Sequence, residues 1–212
     1  MAVMTNLLRN RVIDYLRGQA PTPLTALYVG LLTCTNGQLA RSTAYTAGQT
    51  VVTTGTSDGK LHLYSVTTAG TTAATAPAYA GAAGEVITDG SAVLTEQTAG
   101  LQAGTAAVEV SVANGYARAS IGAALTGLSA TQGGSTASTG TTGATSNLSA
   151  ANFTQSTGAW TTGSAAIWGF GLYDAASAGN LLAFAPDTAL QTVAAAGITP
   201  SYAASALSLS IA

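Results

Sequence analysis

Residues 166–184 read AIWGFGLYDAASAGNLLAF and hold the densest apolar and aromatic run of the chain. Two apolar segments of strand length flank a small polar stretch from Asp174 to Asn180, which predicts a β-hairpin with a loop of several residues. The side chains of Asp174 and Asn180 can bond backbone groups of the loop, and Gly179 can adopt a positive φ. Because only 6% of the residues are aromatic, we expect this hairpin to form the core.

The composition of the 212-residue chain is unusual, with 7% charged residues, 47% hydrophobic residues, 25 glycines and a net charge of −2. An average globular protein carries about 25% charged residues. The length suits one domain, or one domain that carries a small insertion. Low charge together with many hydroxyl and glycine residues predicts a β-rich protein that works within an assembly. The hydrophobic content argues against disorder of the whole chain.

Charge, hydropathy and cysteine content exclude several classes of partner. Six basic and eight acidic residues cannot follow a phosphate backbone, so we expect no nucleic-acid partner. The sequence shows no secretory signal and no apolar run near the roughly 18 residues that span a bilayer, so we expect no membrane partner. Cys34 is the one cysteine, which excludes an intrachain disulfide and a cysteine-based zinc site. We predict that Cys34 lies in a strand as a small apolar residue, and we expect no metal or cofactor.

Residues 5–17, TNLLRNRVIDYLR, predict a helix that ends near Gly18. Apolar residues recur at i, i+4, i+7 and i+8 from Leu8, which places them on one face. Two interpretations stay open: the helix packs on its own domain, or it is an arm that docks on a neighbouring subunit and pairs its arginines with acidic groups there. The candidate partner-binding residues of the helix are Leu8, Arg9, Arg11, Val12, Tyr15 and Arg17.

The sequence pattern changes in the middle of the chain, from a long apolar run to short candidate strands with frequent turn signals. Residues 24–33, LTALYVGLLT, form an apolar run that predicts a buried strand. From 41 to 105, short candidate strands alternate with turn signals such as Ser57-Asp58-Gly59, which predicts small β-hairpins with little core of their own, in an inserted module that projects from the body. We therefore divide the chain into three parts: an N-terminal helix or arm at 1–20, a β-sandwich body at 21–40 and 106–212, and an inserted small β module at 41–105.

The second half of the chain returns to longer strands. The pair Asn114-Gly115 lies between two strand-like segments and predicts a hairpin with a type I′ turn. Residues 128–149 are almost wholly Thr, Ser, Gly and Ala and predict either a long flexible loop or a short strand pair. Residues 206–211, ALSLSI, predict a C-terminal strand. The predicted fold class is therefore mainly β, with a β-sandwich or jelly-roll-like body, an N-terminal helix and an inserted β-hairpin module.

Residues that carry chemistry are few. His62 is the one histidine, and because no nucleophile-elbow motif accompanies it, we interpret it as a surface histidine on a strand. Asp58 and Asp89 each lie in an Asp-Gly turn, and turn chemistry accounts for both. The glutamates are too scattered to assign a carboxylate pair for glycoside hydrolysis. We expect no catalytic residue and no enzyme activity.

Arg118 is the only arginine or lysine after Lys60. A lone arginine beside a strand pair is expected to meet a specific carboxylate, either Asp174 or a group on a partner. We therefore include Arg118 among the candidate partner-binding residues. Trp168 and Tyr173, in contrast, are expected in the core of the chain rather than at an interface.

Four segments of the chain resemble a family of small tailed-bacteriophage virion proteins, whose members are variously labelled tail fibre, head decoration or cement proteins. They are LYVGLLT (27–33), NGYARASI (114–121), FTQSTGAW (153–160) and WGFGLYDAASAGNLLAF (168–184). The resemblance implies a virion component without catalytic activity.

The expected function is that of a capsid decoration or cement protein that stabilises the head through contacts between subunits. The alternative is a tail-fibre or tail-adaptor subunit, and a third interpretation is a glycan-degrading tail enzyme. The expected partner is the major capsid protein or another virion protein, and we expect a homo-oligomer, with a trimer favoured. The expected location is the virion, assembled in the cytoplasm of the bacterial host.

Overall fold

The structure is a computed structural model and describes residues 2–122, 127–128 and 144–210. The predicted fold class is confirmed, because the chain is mainly β and carries an N-terminal helix. The elements are β1 (Val3–Met4), α1 (Asn6–Leu16), β2 (Leu27–Cys34), β3 (Ala44–Tyr45), β4 (Thr50–Thr54), β5 (Leu61–Thr68), β6 (Gly70–Thr71), β7 (Val86–Asp89), β8 (Ala92–Glu96), α2 (Thr98–Gln102), β9 (Ala119–Gly122), β10 (Ala144–Ser146), β11 (Ala151–Asn152), β12 (Ala166–Tyr173), β13 (Leu181–Gln191), β14 (Ser201–Tyr202) and β15 (Ser208–Ser210).

A five-stranded antiparallel sheet, in the order β1-β13-β12-β2-β9, organises the fold. The predicted hairpin is its centre: β12 pairs with β13 across the loop at 174–180, and all eight residues of β12 are buried. The Oδ1 atom of Asp174 accepts a hydrogen bond of 2.7 Å from the backbone N–H of Asn180, and Gly179 has a φ of 68°. The loop therefore has the chemistry that its residues predict.

Each face of this sheet carries its own apolar cluster. Ile167, Phe170 and Leu172 of β12 lie in one cluster, whereas Trp168 and Tyr173 lie in the other. Along β12, side chains alternate between the two faces, but the order of this alternation reverses near Gly169. The reversal occurs because the pairing register shifts between positions 167 and 169. Both faces of the sheet are therefore covered, and the expected burial of the β12 aromatic residues in the core is observed.

A second sheet, in the order β4-β5-β8-β7, packs on one face of the first. Val52, Leu63 and Leu101 from this region share an apolar cluster with Trp168 and Phe184 of the five-stranded sheet. The inserted segment therefore covers the body instead of projecting from it, and that part of the prediction is wrong. The division of the chain into three parts stays a prediction.

The inserted segment also has a buried core of its own, so the expectation of small hairpins with little core is wrong. Val51, Tyr64, Val66 and Leu94 are each at most 1% exposed and form part of a separate cluster. The physical reason is that β4, β5, β8 and β7 pair into one sheet, which aligns their apolar positions on common faces.

The Asn114-Gly115 pair forms the predicted turn, but the segments on either side lie along β2 instead of forming a hairpin. Asn114 has a φ of 51° and Gly115 a φ of 79°, as a type I′ turn requires. The N–H of Val110 donates to the carbonyl of Leu31, while β9 pairs with the preceding residues of β2. The indole N–H of Trp160 donates to the carbonyl of Asn114 at 2.9 Å, so contacts distant in sequence hold the turn.

The C-terminal strand is observed as β15, which pairs with β10. The choice between a flexible loop and a strand pair for residues 128–149 falls largely on residues 129–143, which lie outside the described residues. In the described part of the chain, no helix has the length and apolar character needed to cross a membrane.

Candidate functional site

α1 is the most exposed regular element that carries predicted site residues. Its N-cap, Thr5, is 2% exposed, and its Oγ1 lies 2.9 Å from the carbonyl oxygens of Leu181 and Leu182, which ties the start of the helix to β13. None of the eleven residues of α1, all of them described, is buried. Tyr15 is 69% exposed and Leu16 is 78% exposed. α1 therefore presents apolar surface to the outside of the chain.

A groove of about 390 Å³ runs between α1 and the segment 21–24 that follows it. Its lining is mostly apolar and brings together four of the residues predicted from the sequence, whereas Arg9 and Arg17 lie outside it. The lining residues are Leu8, Arg11, Val12, Tyr15, Pro21, Thr22, Pro23 and Leu24. The prolines that end the helix in the sequence thus also form the opposite wall of the groove.

The arginines of α1 have few partners in their own chain. Nη2 of Arg11 lies 3.6 Å from Oδ2 of Asp174, while its Nη1 is buried without a hydrogen-bond partner among the described residues. Arg17 forms an exposed ion pair with Asp14, with 3.8 Å between Nη1 and Oδ1. The guanidinium of Arg9 makes no ion pair or hydrogen bond within the described residues. α1 therefore offers cationic groups beside its apolar groove.

Arg118 lies at the other side of the same hairpin loop and is 8% exposed. Its Nη2 and Nε donate to the Glu109 carboxylate at 2.7 and 2.9 Å, and its Nη1 donates to the carbonyls of Ala175 and Ala178 at 2.7 and 2.6 Å. The carboxylate that Arg118 contacts is thus Glu109, not Asp174, because Asp174 faces Arg11 on α1. A partner-binding role for Arg118 stays a prediction.

Glu109 and Arg118 form the centre of a buried polar cluster. The hydroxyl of Tyr116 donates to Glu109 at 2.7 Å and accepts from the backbone N–H of Leu31 at 2.9 Å. Burial, and then the hydrogen bond to Glu109, raise the pKa of Tyr116 above its ordinary value. The cluster therefore connects β2 and the segment 109–118 to the β12–β13 loop through hydrogen bonds.

A second polar cluster surrounds His62, which the sequence predicts as a surface histidine on a strand. Nδ1 of His62 lies 3.2 Å from Oε1 of Glu96, and Nε2 lies 3.2 Å from Oδ1 of Asp58. Glu96 is 2% exposed and also accepts hydrogen bonds from the backbone N–H groups of Gly84 and Thr98. Carboxylates only accept, so both ring nitrogens of His62 carry protons in this arrangement.

The hydrogen bond to Glu96, opposed by burial and assisted by Asp58, raises the pKa of His62 above its ordinary value. The ring is also confined sterically, because a Cβ atom at Gly81 would lie 2.6 Å from Nε2 and one at Gly55 would lie 2.9 Å from Cδ2. The one sequence signal for this cluster is Asp58, four positions before His62 across a tight turn. Glu96 carries no comparable signal, because strand pairing brings it there.

The His62 cluster borders a cleft between the two sheets. Its smaller part, about 80 Å³, is lined by His62 and Glu96 from one side and by Trp168 and Phe184 from the other. The neighbouring part, about 290 Å³, includes Asp187. The hydroxyl of Tyr202 and the side-chain amide of Gln191 donate to Asp187, yet burial raises the pKa of Asp187 to about 6.

Asp89, interpreted from the sequence as a turn residue, has a completely buried side chain. It accepts from Arg41 at 2.6 Å, from the hydroxyl of Tyr79 at 2.5 Å and from the backbone N–H of Ala73 at 2.8 Å. Turn chemistry alone therefore does not account for Asp89. Its carboxylate joins three distant segments of the inserted module.

A family model described as podophage GP4 fiber I protein gp80 matches residues 92–210 of the chain. The match covers more than half of the chain and includes the β12–β13 hairpin and Arg118 with its partner Glu109. The chain belongs to this family of phage fibre proteins, and it is a structural component of a tailed-bacteriophage virion. A comparison with curated proteins gives no match.

Proposed function

We propose that this chain is a subunit of the tail fibre of a tailed bacteriophage and acts by adhesion to other virion proteins. The observation that carries the proposal is the membership of residues 92–210 in a phage fibre protein family. Capsid decoration, which the sequence analysis placed first, is the competing location, and the experiment below separates the two.

The exposed apolar surface of α1 supports an adhesive role. Helices shorter than about 12 to 15 residues are marginal in water by themselves, and α1 has eleven residues, all described and none buried. Leu16, Tyr15 and Ile13 are each more than half exposed. Exposed apolar patches of this kind mark interaction sites, so we infer that α1 is covered by another subunit in the virion. This is the arm interpretation of the helix.

We further propose that the protein has no catalytic activity. His62 is the one imidazole of the chain, and carboxylates occupy both of its ring nitrogens. A general base needs a nitrogen that is free to take a proton from the substrate. Glu109, in turn, is held by Arg118 and Tyr116. These hydrogen bonds support a structural role for both groups.

The location is tested with purified virions that carry an epitope tag on this chain. Immunogold electron microscopy is expected to label the tail, and quantitative mass spectrometry is expected to give a copy number far below that of the major capsid protein. Gold on the head, with a copy number close to that of the capsid subunit, would establish capsid decoration instead. Absence of the chain from particles would contradict both.

We also propose that the subunits form a symmetric homo-oligomer, with a trimer favoured, and that they assemble with the virion in the host cytoplasm. Val86 and Val112 are 65% and 85% exposed and lie away from α1 in the chain, so they offer apolar surface for contact between copies. Native mass spectrometry of the purified chain measures the oligomeric state. Val86→Asp and Val112→Asp should weaken the oligomer, whereas a monomer at all concentrations would contradict this proposal.

A further inference from the structure

The acidic residues of the chain are already engaged within their own chain. Each of the eight lies in the described ranges and has an intrachain hydrogen bond or ion pair. Outside α1 the pairs are Asp58 with His62, Glu85 with Tyr64, Asp89 with Arg41, Glu96 with His62, Glu109 with Arg118, Asp174 with Asn180 and Asp187 with Tyr202. Asp14, within α1, pairs with Arg17. A carboxylate of a second copy would therefore pair with the arginines of α1 only in addition to, or in exchange for, a partner in its own chain.

The position of the arginines on α1 also disfavours contact between two copies of the helix. Leu8, Val12 and Tyr15 follow an i, i+4, i+7 spacing and form the apolar stripe that lines the groove. Arg9 and Arg11 flank this stripe, one on each side. When two helices pack along such stripes, the flanking residues of one meet the flanking residues of the other. The flanking positions along α1 hold Arg9, Arg11 and Leu16, so a second copy of the helix would set no carboxylate against either arginine.

The arginine N–H groups of α1 that lack an acceptor also favour a partner other than a second copy of the chain. Arg9 has no intrachain partner for its guanidinium within the described residues, and Nη1 of Arg11 is buried without one. An arginine beside an apolar surface forms its strongest contacts with carboxylates, which accept two parallel hydrogen bonds. The groove thus has an apolar floor and cationic edges. Its complement is a segment with apolar anchors and acidic flanks.

We propose that the groove of α1 and residues 21–24 binds an acidic, apolar-anchored segment of a different virion protein, not a second copy of this chain. The inference deepens the proposed function, because it names the chemistry of the partner that covers α1. The apolar side chains of the partner fill the groove, and its carboxylates pair with the exposed Arg9 beside the groove. Homo-oligomer contacts then lie on other faces of the chain.

Site-specific cross-linking in assembled virions tests the partner. The exposed Tyr15 is replaced by p-benzoylphenylalanine, which keeps an aromatic ring, and the virions are irradiated. The expected adduct joins position 15 to a different virion protein, at a peptide in which aspartate or glutamate lies next to apolar residues. The same photoreactive residue at Val112 is the control, and it should not give that adduct.

An adduct between two copies of the chain at position 15, or the absence of an adduct from virions that contain the chain, would overturn the inference. The copy number in the same virions keeps the two proposals apart. If the chain is absent from the particles, the proposed function fails; if it is present and cross-links to itself, only the partner assignment fails.

A charge-matched pair of variants tests the proposed ion pairs between Arg9 and the carboxylates of the partner. Arg9→Gln and Asn10→Glu each lower the net charge by one at adjacent exposed positions, but Asn10 lies on the opposite side of the helix from the groove. Each variant competes with the wild-type chain for incorporation into virions, and mass spectrometry measures the ratio. We expect a loss of about two- to fivefold for Arg9→Gln and none for Asn10→Glu. Equal losses, or no loss for either variant, would overturn the pairing with acidic groups.

Discussion

The guanidinium carbon of Arg118 lies 3.5 Å from the centre of the Tyr173 ring. The ring supports the flat face of the guanidinium, Glu109 binds one edge, and the carbonyls of Ala175 and Ala178 accept hydrogen bonds from Nη1. Cation–π contact and paired hydrogen bonds thus act on one buried side chain. Arg118 therefore connects the loop of the central hairpin to Glu109 in the segment that lies along β2.

Removing this arginine should destabilise the protein strongly, because it leaves Glu109 partly buried without its counter-ion. We expect Arg118→Met to lower the free energy of unfolding by about 3 kcal/mol. The double variant Arg118→Met/Glu109→Leu should cost less than the sum of the two single variants. Urea denaturation measures all three. Arg17→Met, at an exposed ion pair, is the control and should cost less than about 0.5 kcal/mol; an equal cost at both arginines would contradict the prediction.

Gly30 should not tolerate a side chain, because a Cβ atom there would lie 2.5 Å from Oε1 of Glu109 and 2.8 Å from Cε2 of Tyr173. We expect Gly30→Ala to lower the free energy of unfolding by about 1 to 3 kcal/mol. The penalty should shrink in a Tyr173→Leu background, where the ring is gone. Thermal and urea unfolding measure it, and an unchanged penalty in that background would show that the ring is not the obstacle.

The His62 cluster should make stability depend on pH above about 6.5, the ordinary pKa of histidine. Its pKa is raised in the folded state by Glu96 and Asp58, and Lys60 is the other charged group beside it, 3.9 Å from Asp58. The stabilisation is therefore fully present below the pKa of the unfolded state, about 6.5, and is lost as the pH rises through the folded-state pKa. The stability difference between wild type and His62→Gln should shrink over that range. An NMR titration that gives His62 a pKa at or below 6.5 would contradict this.

The contribution of Asp187 to folding stability should change in a lower pH range than that of His62. Burial raises the pKa of Asp187 to about 6 from an ordinary value of 3.8. The folded state then binds a proton more tightly than the unfolded state, so this contribution is present below about pH 4 and is lost as the pH rises to 6. Asp187→Asn removes the effect. Relative to wild type, the variant should gain about 1 to 2 kcal/mol between pH 4 and pH 7, after allowance for partial exposure.

Chemical denaturation of both proteins across this range checks the Asp187 prediction. The difference between the two curves isolates Asp187 from the carboxylates whose pKa values are lowered in the fold, such as Asp58 and Glu96. A difference that does not change with pH would show that burial does not perturb this carboxyl group.

Local patterns predicted the elements whose determinants are close in sequence. The hairpin at 166–184, the N-terminal helix and the turn at Asn114-Gly115 all follow from residues within one element or loop. The register shift near Gly169 had no such signal, since apolar residues on both faces of β12 hide the change of phase. The pairing of segment 108–110 with β2 also depends on contacts distant in sequence.

The polar clusters were harder to predict than the strands. His62 and Glu96 are 34 positions apart and meet because β5 pairs with β8. Glu109 and Arg118 are close in sequence, but the expected partner of Arg118 was either Asp174 or a group on another protein. Sequence spacing reveals a side-chain pair only when both residues share one element, and these pairs are made by the assembly of several.

The place of β2 in the sheet limits how this chain can be shortened. β2 precedes the region 92–210 that the fibre family shares, yet it hydrogen-bonds along seven positions of β12 inside that region. A fragment starting at Ala92 would leave β12, all of whose residues are buried in the full chain, with a bare row of backbone donors and acceptors. Such an edge recruits strands from other molecules, so fragments cut at the family boundary would precipitate.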